Sequence, residues 1–147
     1  MTNDHGIGQG NELWRYQIRL LFRHPRINPE TITKNLGLNP DSSWVVGAPR
    51  KTPAGNALTG TYADSMWCHS HNVLGRRSFS EDIGRLIRIL ERHSDFVENI
   101  TEDGGSARLI INLPGDTSIG DEIPWTDLSR MSRLKLCLGF EVFPNFT

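Results

Sequence analysis

The chain is poor in the features that mark most functional classes. Cysteine occurs only twice, at Cys68 and Cys137, which excludes a disulfide-rich scaffold and a zinc site built from paired Cys-x-x-Cys knuckles. Basic and acidic residues nearly balance, 16 against 17, so attraction of the whole molecule to nucleic acid is not expected. No apolar run approaches the ~20 residues that cross a bilayer, and we expect no membrane association.

The N-terminal segment is also poor in apolar residues. Residues 1–12 carry several glycines and no apolar core of the kind found in an export signal. We therefore expect a disordered tail over residues 1–12, a single domain over residues 13–147, and a cytoplasmic protein with two free thiols.

What the chain does have is a strand pattern near each end. Side chains alternate between the two faces of a strand, and two segments alternate apolar with polar residues in this way. The first has Trp14, Tyr16, Ile18, Leu20 and Phe22 on one face and Arg15, Gln17, Arg19 and Arg23 on the other; the second has Leu136, Leu138, Phe140 and Val142 opposite Lys135, Cys137, Gly139 and Glu141. The spacing predicts one sheet with a core face and a wet face.

The intervening chain supplies further elements. Asn28 and Pro29 predict the start of a short helix that ends at Gly37, and Ser78 with Glu81 forms a capping box. Together the patterns predict a short strand at 44–46, a surface loop over 47–60, a strand at 61–69, one long helix from Ser78 to just before Gly104, a strand at 107–113 and a helix at 125–133 with Leu128 and Met131 inward. The expected fold is α+β: a mainly antiparallel sheet of four to five strands with helices packed on one face, loosely ferredoxin-like.

This layout resembles a bacterial family, the domain of unknown function 4279, over about residues 13–143. The most specific part is a helix that ends in Leu-Gly-Leu-x-Pro at Leu36 to Pro40 and is followed by Trp44 and Gly47. The resemblance also includes three less specific features: a Trp-bearing strand, the pair Gly104 and Gly105, and a short helix that passes directly into the last strand. The resemblance implies a small soluble bacterial α+β protein with no assigned activity, and hence no catalytic residues to transfer.

Histidines are the first candidate ligands. His69 and His71 share one strand face and could approach the same metal ion, while Cys68 points to the other face. Such a site needs a further ligand from His93, His24 or a carboxylate, and a plain strand end is the favoured interpretation. His93, within the broad apolar arc of the long helix, is interpreted as a half-buried histidine. We therefore predict no metal and no cofactor, with His69, His71 and His93 kept as weak metal candidates.

Arginines are the second group of candidates. Arg15, Arg19 and Arg23 form a row on the polar face of the first strand, where pairing with acids such as Glu141 is the simplest expectation. If left open, the row could bind an acidic protein or a nucleic-acid backbone, and the protein is the favoured partner because the aromatic residues of this strand lie on the core face. Arg76 and Arg77 precede a helix N-terminus, which can hold an anion, although Glu81 and Asp82 would repel one.

No nucleophile, base and orienting residue occur at a spacing specific for catalysis. We therefore predict a non-catalytic binding module that acts by protein–protein contact, as a regulatory or immunity-type protein with a partner still to be identified. An exposed sheet edge could also pair two copies into a homodimer. The alternative is a metal-binding, small-ligand-binding or hydrolytic domain that uses the region of His69, His71 and His93.

Overall fold

A computed structural model of the chain describes residues 15–74, 78–115 and 120–143. The predicted tail at 1–12 and the side chain of Trp14 lie outside these ranges. No helix within them is both long and apolar enough to cross a membrane. The elements in chain order are β1 (Arg15–His24), α1 (Pro29–Leu36), β2 (Ser42–Trp44), β3 (Pro49–Lys51), β4 (Ala57–Thr61), β5 (Ser65–Leu74), α2 (Phe79–Glu91), α3 (Ser94–Glu102), β6 (Ser106–Pro114), α4 (Trp125–Arg133) and β7 (Leu136–Phe143).

Five strands form the main sheet, in the order β2-β5-β1-β6-β7. All neighbouring pairs are antiparallel except β6 and β7, which run parallel and are joined through α4, as a parallel pair requires a crossover. The predicted α+β class with a mainly antiparallel sheet is confirmed. The two edges of the sheet are β2, with three residues, and β7, with eight.

The core lies between one face of this sheet and the helices. Tyr16, Ile18, Leu20 and Phe22 alternate along β1 and are all buried, because β1 is the central strand and the helices cover this face. They pack with the apolar stripes of α1, α2 and α3 and with Trp67 of β5. The period-2 pattern of the first strand therefore positions the core as predicted.

Three sequence predictions about the middle of the chain are wrong. The predicted loop at 47–60 contains a hairpin, in which β3 pairs with β4. The segment predicted as one strand at 61–69 contains the last residue of β4, a turn and the first half of β5. The strand predicted at 44–46 lies two residues earlier, at Ser42–Trp44. Glycine and proline marked turns here correctly, but they did not reveal the short pairings between the turns.

The helix predicted from Ser78 to Gly104 is two helices. α2 ends at Glu91 with Arg92 as its C-cap, and His93, the N-cap of α3, has a non-helical backbone (φ −129°, ψ 39°). The apolar stripe that predicted one helix continues from α2 into α3, because both helices pack on the same core. In α4, Met131 is buried as predicted, but Leu128 is exposed; this short helix lies at the margin of the sheet and buries little more than Met131 and Asp127.

The last strand departs furthest from its pattern. Leu136 is buried, but Phe140 is 55% exposed and Val142 is 62% exposed, so the prediction that these two residues face the core is wrong. β7 has a paired neighbour, β6, on one side only. Its outer half therefore extends beyond the cover that α2 and α3 give to the inner strands.

A buried histidine fixes the turn after β1. His24 Nδ1 accepts hydrogen bonds from the backbone N–H groups of Arg26 and Ile27, both at 3.0 Å, so this nitrogen carries no proton. Burial lowers the pKa of His24 below 6.5, the positive charge of Arg26 lowers it further, and Asp103 opposes the shift.

We predict that replacing His24 with asparagine makes the stability of the fold less dependent on pH. Asparagine keeps a short side-chain acceptor but does not titrate. Because the folded pKa lies below that of the unfolded chain, the unfolded chain binds more protons as the pH falls below about 6.5, and stability is lost through that window. Denaturant unfolding at several pH values measures how the free energy of unfolding changes with pH, with the value near pH 8, where histidine is neutral in the unfolded chain, as the reference for each protein. An equal change with pH in the two proteins would contradict the prediction.

Candidate functional site

The exposed edge strand β7 is the most distinctive surface of the described chain. Its eight residues, Leu-Cys-Leu-Gly-Phe-Glu-Val-Phe, include no lysine or proline and only one charge, that of Glu141. Protein sheets usually protect an edge with charge, proline, a bulge or a very short strand, because unpaired backbone N–H and C=O groups can pair with another chain. The opposite edge follows that rule, since β2 has only three residues. β7 does not.

Apolar side chains of α4 extend this surface. Trp125 is 78% exposed, and Leu128 is exposed on the same short helix. As the crossover between two parallel strands, α4 runs back along the sheet, so its first residue lies at the end where β7 finishes. The edge surface is defined here by exposed apolar side chains of α4 and β7: Trp125, Leu128, Phe140, Val142 and Phe143. Phe140 and Val142 share one face of β7 and Phe143 lies on the other; β7 is the last strand of the described sheet.

A groove runs along β7 on the opposite face of the sheet. It encloses about 330 Å³ and is lined by Arg108 and Ile110 of β6 and by Cys137, Leu138, Gly139, Phe140 and Glu141 of β7. Gly139 lacks a side chain next to its sheet partner Ile110, which leaves this space beside the strand. Arg108 is exposed and takes part in no ion pair recorded within the described ranges.

The sheet face opposite the helices is only partly wet. Leu21, Met66, Cys68 and Ile110 form a second apolar cluster there, against which Trp44 packs. Trp44 in turn stacks on Tyr62, with ring centroids 4.4 Å apart and planes 4° from parallel. The expectation of one wet face is thus wrong where this cluster extends across β5, β1 and β6.

The predicted arginine row is largely engaged within the chain. Arg19 Nη1 lies 3.6 Å from Glu141 Oε1, a cross-strand pairing of the kind expected. Arg23 donates to Asp64 at 3.2 Å and lies over the Trp44 ring, 5.6 Å from its centroid. Exposed pairs of this kind contribute little to stability. The Arg15 side chain lies outside the described part of the chain. Arg19 and Arg23 are thus each paired with an acid, and a partner-binding role for the row stays a prediction.

The anion site considered at Arg76 and Arg77 falls outside the described ranges. At the adjacent start of α2, Asp121 accepts hydrogen bonds from the Ser78 hydroxyl and, at 3.0 Å, from the Ser80 backbone N–H. Burial alone raises the pKa of Asp121, but these hydrogen bonds and the one from the Glu122 N–H outweigh it, so the pKa is lowered. Burial and then the Asp121 charge raise the pKa of Tyr16 to about 12. An acid of this chain already occupies the helix N-terminus.

His69 and His71 lie together, as predicted, on the helix-covered face of β5. They line a cavity of about 170 Å³ with Leu38 and with Asp82, Arg85, Leu86 and Ile89 of α2. Cys68 is on the other face, in the second apolar cluster. His93 begins α3 and does not line the cavity. Within the described ranges, no three His, Cys, Asp or Glu side chains are close enough together to hold a metal ion.

Asp82 lines the cavity, although the sequence had suggested only an acid in the first turn of the helix that would repel an anion. Asp82 is 1% exposed, and Arg85 Nη1 lies 2.6 Å from its Oδ1. His71 Nε2 lies 3.7 Å from the same oxygen. A signal was available: Asp82 is three residues after Phe79 and four before Leu86, on the apolar stripe of α2. A carboxylate at such a position is buried and needs cationic neighbours.

Together, the fold and these surfaces define a small α+β protein with helices on one face of a five-stranded sheet and a parallel edge strand, β7, whose outer side pairs with no other described strand. The chain matches the family described as Domain of unknown function (DUF4279) over residues 15–137, and it belongs to that family. This confirms the resemblance found in the sequence. No curated protein and no solved structure gives a significant match to the chain.

Proposed function

We propose that this protein is a non-catalytic binding module of the bacterial cytoplasm, which acts by protein–protein contact at β7. The observation that carries the proposal is the state of that strand: eight residues at a sheet edge with no lysine or proline and a single charge, that of Glu141, and with Phe140 and Val142 more than half exposed. Another polypeptide can extend the sheet by pairing with this edge, a common mode of recognition.

The partner segment we propose is an extended strand with apolar side chains at alternate positions. Such side chains would pack on Phe140 and Val142 on one face of the enlarged sheet. On the other face, Cys137 of β7 is paired with Arg108 of β6. A partner residue opposite Cys137 would therefore be separated from Arg108 only by the width of β7. An acidic residue is favoured there, because Arg108 is exposed and brings positive charge to the groove.

Site-specific photo-crosslinking in a bacterial host tests the proposal. A photoreactive phenylalanine analogue at position 140 should crosslink to one protein species, whereas the same analogue at Leu58, an exposed residue of β4, should not. Val142→Lys should abolish the crosslink at position 140, because a charge on an edge strand suppresses pairing. The free energy of unfolding of the Val142→Lys variant should differ from that of the original chain by no more than about 0.5 kcal/mol, since Val142 is exposed.

The mass of the crosslinked species separates two kinds of partner. A different protein supports a hetero-complex, and a product of twice 16.6 kDa identifies a second copy as the added strand. Equal crosslinking at positions 140 and 58, or a crosslink that survives Val142→Lys, would contradict the proposal. A circular dichroism spectrum of the lysine variant confirms that the loss does not reflect unfolding.

A further inference from the structure

The cavity beside His71 combines groups that complement one another chemically. Its polar groups converge from two elements, His69 and His71 from β5 and Asp82 and Arg85 from α2, and Leu38, Leu86 and Ile89 form an apolar wall. It lies over β5, so two strands, β1 and β6, separate it from the β7 edge. Its volume of about 170 Å³ is below the roughly 300–1,000 Å³ of sites for drug-sized ligands, so its occupant must be small.

The geometry fixes which nitrogen of each histidine is available. His69 Nδ1 lies 2.6 Å from the Asn39 carbonyl oxygen and therefore carries a proton, which leaves Nε2 as the acceptor of the neutral ring. His71 Nε2 is buried, lies 3.7 Å from Asp82 Oδ1 and makes no hydrogen bond to the described residues. A proton on Nε2, facing that carboxylate, leaves Nδ1 as the acceptor of the neutral ring. In these tautomers each histidine has one acceptor nitrogen.

Arg85 supplies the complementary donors. One of its terminal nitrogens is held by Asp82, while about half of the side chain is exposed. A guanidinium has five N–H donors, so several remain for a ligand carboxylate, and such charge-assisted hydrogen bonds are the strong ones. Asp82 also lines the cavity, but it is buried, and Arg85 Nη1, 2.6 Å from its Oδ1, balances its charge while Asp82 orients the guanidinium.

We propose that this cavity binds a small aliphatic hydroxycarboxylate. The carboxylate accepts hydrogen bonds from Arg85, the hydroxyl donates to a histidine nitrogen, and the short carbon chain packs on Leu38, Leu86 and Ile89. A simple alkyl carboxylate satisfies only Arg85 and the apolar wall. An amine lacks the group that Arg85 recognises.

The test is an NMR titration of the whole chain with 2-hydroxybutyrate, butyrate and butylamine. We expect saturable shifts at Arg85, His69 and His71 with 2-hydroxybutyrate, binding of butyrate about five- to tenfold weaker because one hydrogen bond is lost, and no binding of butylamine. Arg85→Gln should weaken 2-hydroxybutyrate binding at least about tenfold. Arg88→Gln is the matched control, because Arg88 is exposed one turn along α2 and does not line the cavity.

A second variant identifies the histidine contribution. His71→Phe keeps the ring but removes both nitrogens, so butyrate and 2-hydroxybutyrate should then bind within about twofold of each other if His71 receives the hydroxyl. His69→Phe is tested in the same way, and one of the two must remove the preference. Absence of saturable shifts with 2-hydroxybutyrate at millimolar concentration, or equal effects of Arg85→Gln and Arg88→Gln, would overturn the proposal. The amide spectrum of each variant reports whether it is folded.

Discussion

Replacing Gly105 with alanine should destabilise the fold by about 3 kcal/mol or more. A Cβ at this position would overlap the carbonyl oxygen of Arg23, and it would lie 2.7 Å from the carbonyl oxygen of Ile100 and 3.2 Å from the Cα of His24. All three atoms belong to the backbone, so no side-chain rotation relieves the overlap. The clash therefore forces apart the start of β6, the end of α3 and β1, the central strand, which exceeds the usual range of about 1–3 kcal/mol for overpacking.

Equilibrium denaturation in urea measures this change as a shift in midpoint. Gly120→Ala is the matched control, because a Cβ at Gly120 has no atom of the described residues within 4 Å, and it should alter stability by less than about 0.5 kcal/mol. A loss of less than 1 kcal/mol for Gly105→Ala would mean that β1 and β6 approach one another differently. A loss that small would be no larger than the ~1 kcal/mol of a typical single substitution, and it would count against the sheet described here.

Replacing Trp67 with alanine should destabilise the fold by about 3–5 kcal/mol, the usual range for removing a large buried aromatic side chain. The ring is fully buried, packs against Phe22 with centroids 5.6 Å apart, and donates a hydrogen bond from Nε1 to the Thr33 hydroxyl at 2.9 Å. The substitution removes the link between α1 and β5 and leaves a cavity. Because domains of this size are stable by only about 5–15 kcal/mol, unfolded molecules should become detectable.

Trp125→Ala provides the comparison on the same residue type. Trp125 is 78% exposed, so its loss should change stability by no more than about 0.5 kcal/mol. Thermal unfolding followed by circular dichroism compares the two variants directly. Similar losses for both would contradict the assignment of Trp67 to the core and Trp125 to the surface.

The sequence predicted best where one local rule decides the structure. The alternation in β1 placed Tyr16, Ile18, Leu20 and Phe22 in the core because a central strand is covered in full on one face. Helix α1 begins and ends where its caps require: the Asn28 side chain accepts from the Glu30 N–H, and Gly37 adopts the left-handed conformation with φ 71°. These signals involve only neighbouring residues.

The predictions failed where distant segments decide. Phe140 and Val142 have the same alternating pattern as β1, but β7 lies at an edge, and strand order cannot be read from alternation. The break between α2 and α3 at His93 leaves the apolar stripe intact, so periodicity alone gave one helix. The β3–β4 hairpin consists of exposed residues and therefore has no apolar pattern to reveal it.

The candidate sites follow the same division. Alternation correctly put His69 and His71 on one face and Cys68 on the other, because the three are neighbours on one strand. Asp82 and Arg85 come from a helix that packs over that strand, and no sequence spacing connects them to β5. The edge surface of β7 and α4 was missed for a related reason: the pattern that builds a core in the middle of a sheet forms an exposed apolar strip at its edge.

The most direct test of strand addition at β7 is amide hydrogen exchange on the chain alone and in the complex captured through position 140. Pairing of a new strand protects backbone N–H groups that were exposed at the edge. The account predicts slowed exchange confined to alternate amides of Leu136–Phe143, with the other edge, Ser42–Trp44, unchanged. A complex that leaves the β7 amides exchanging as fast as in the free chain would contradict it.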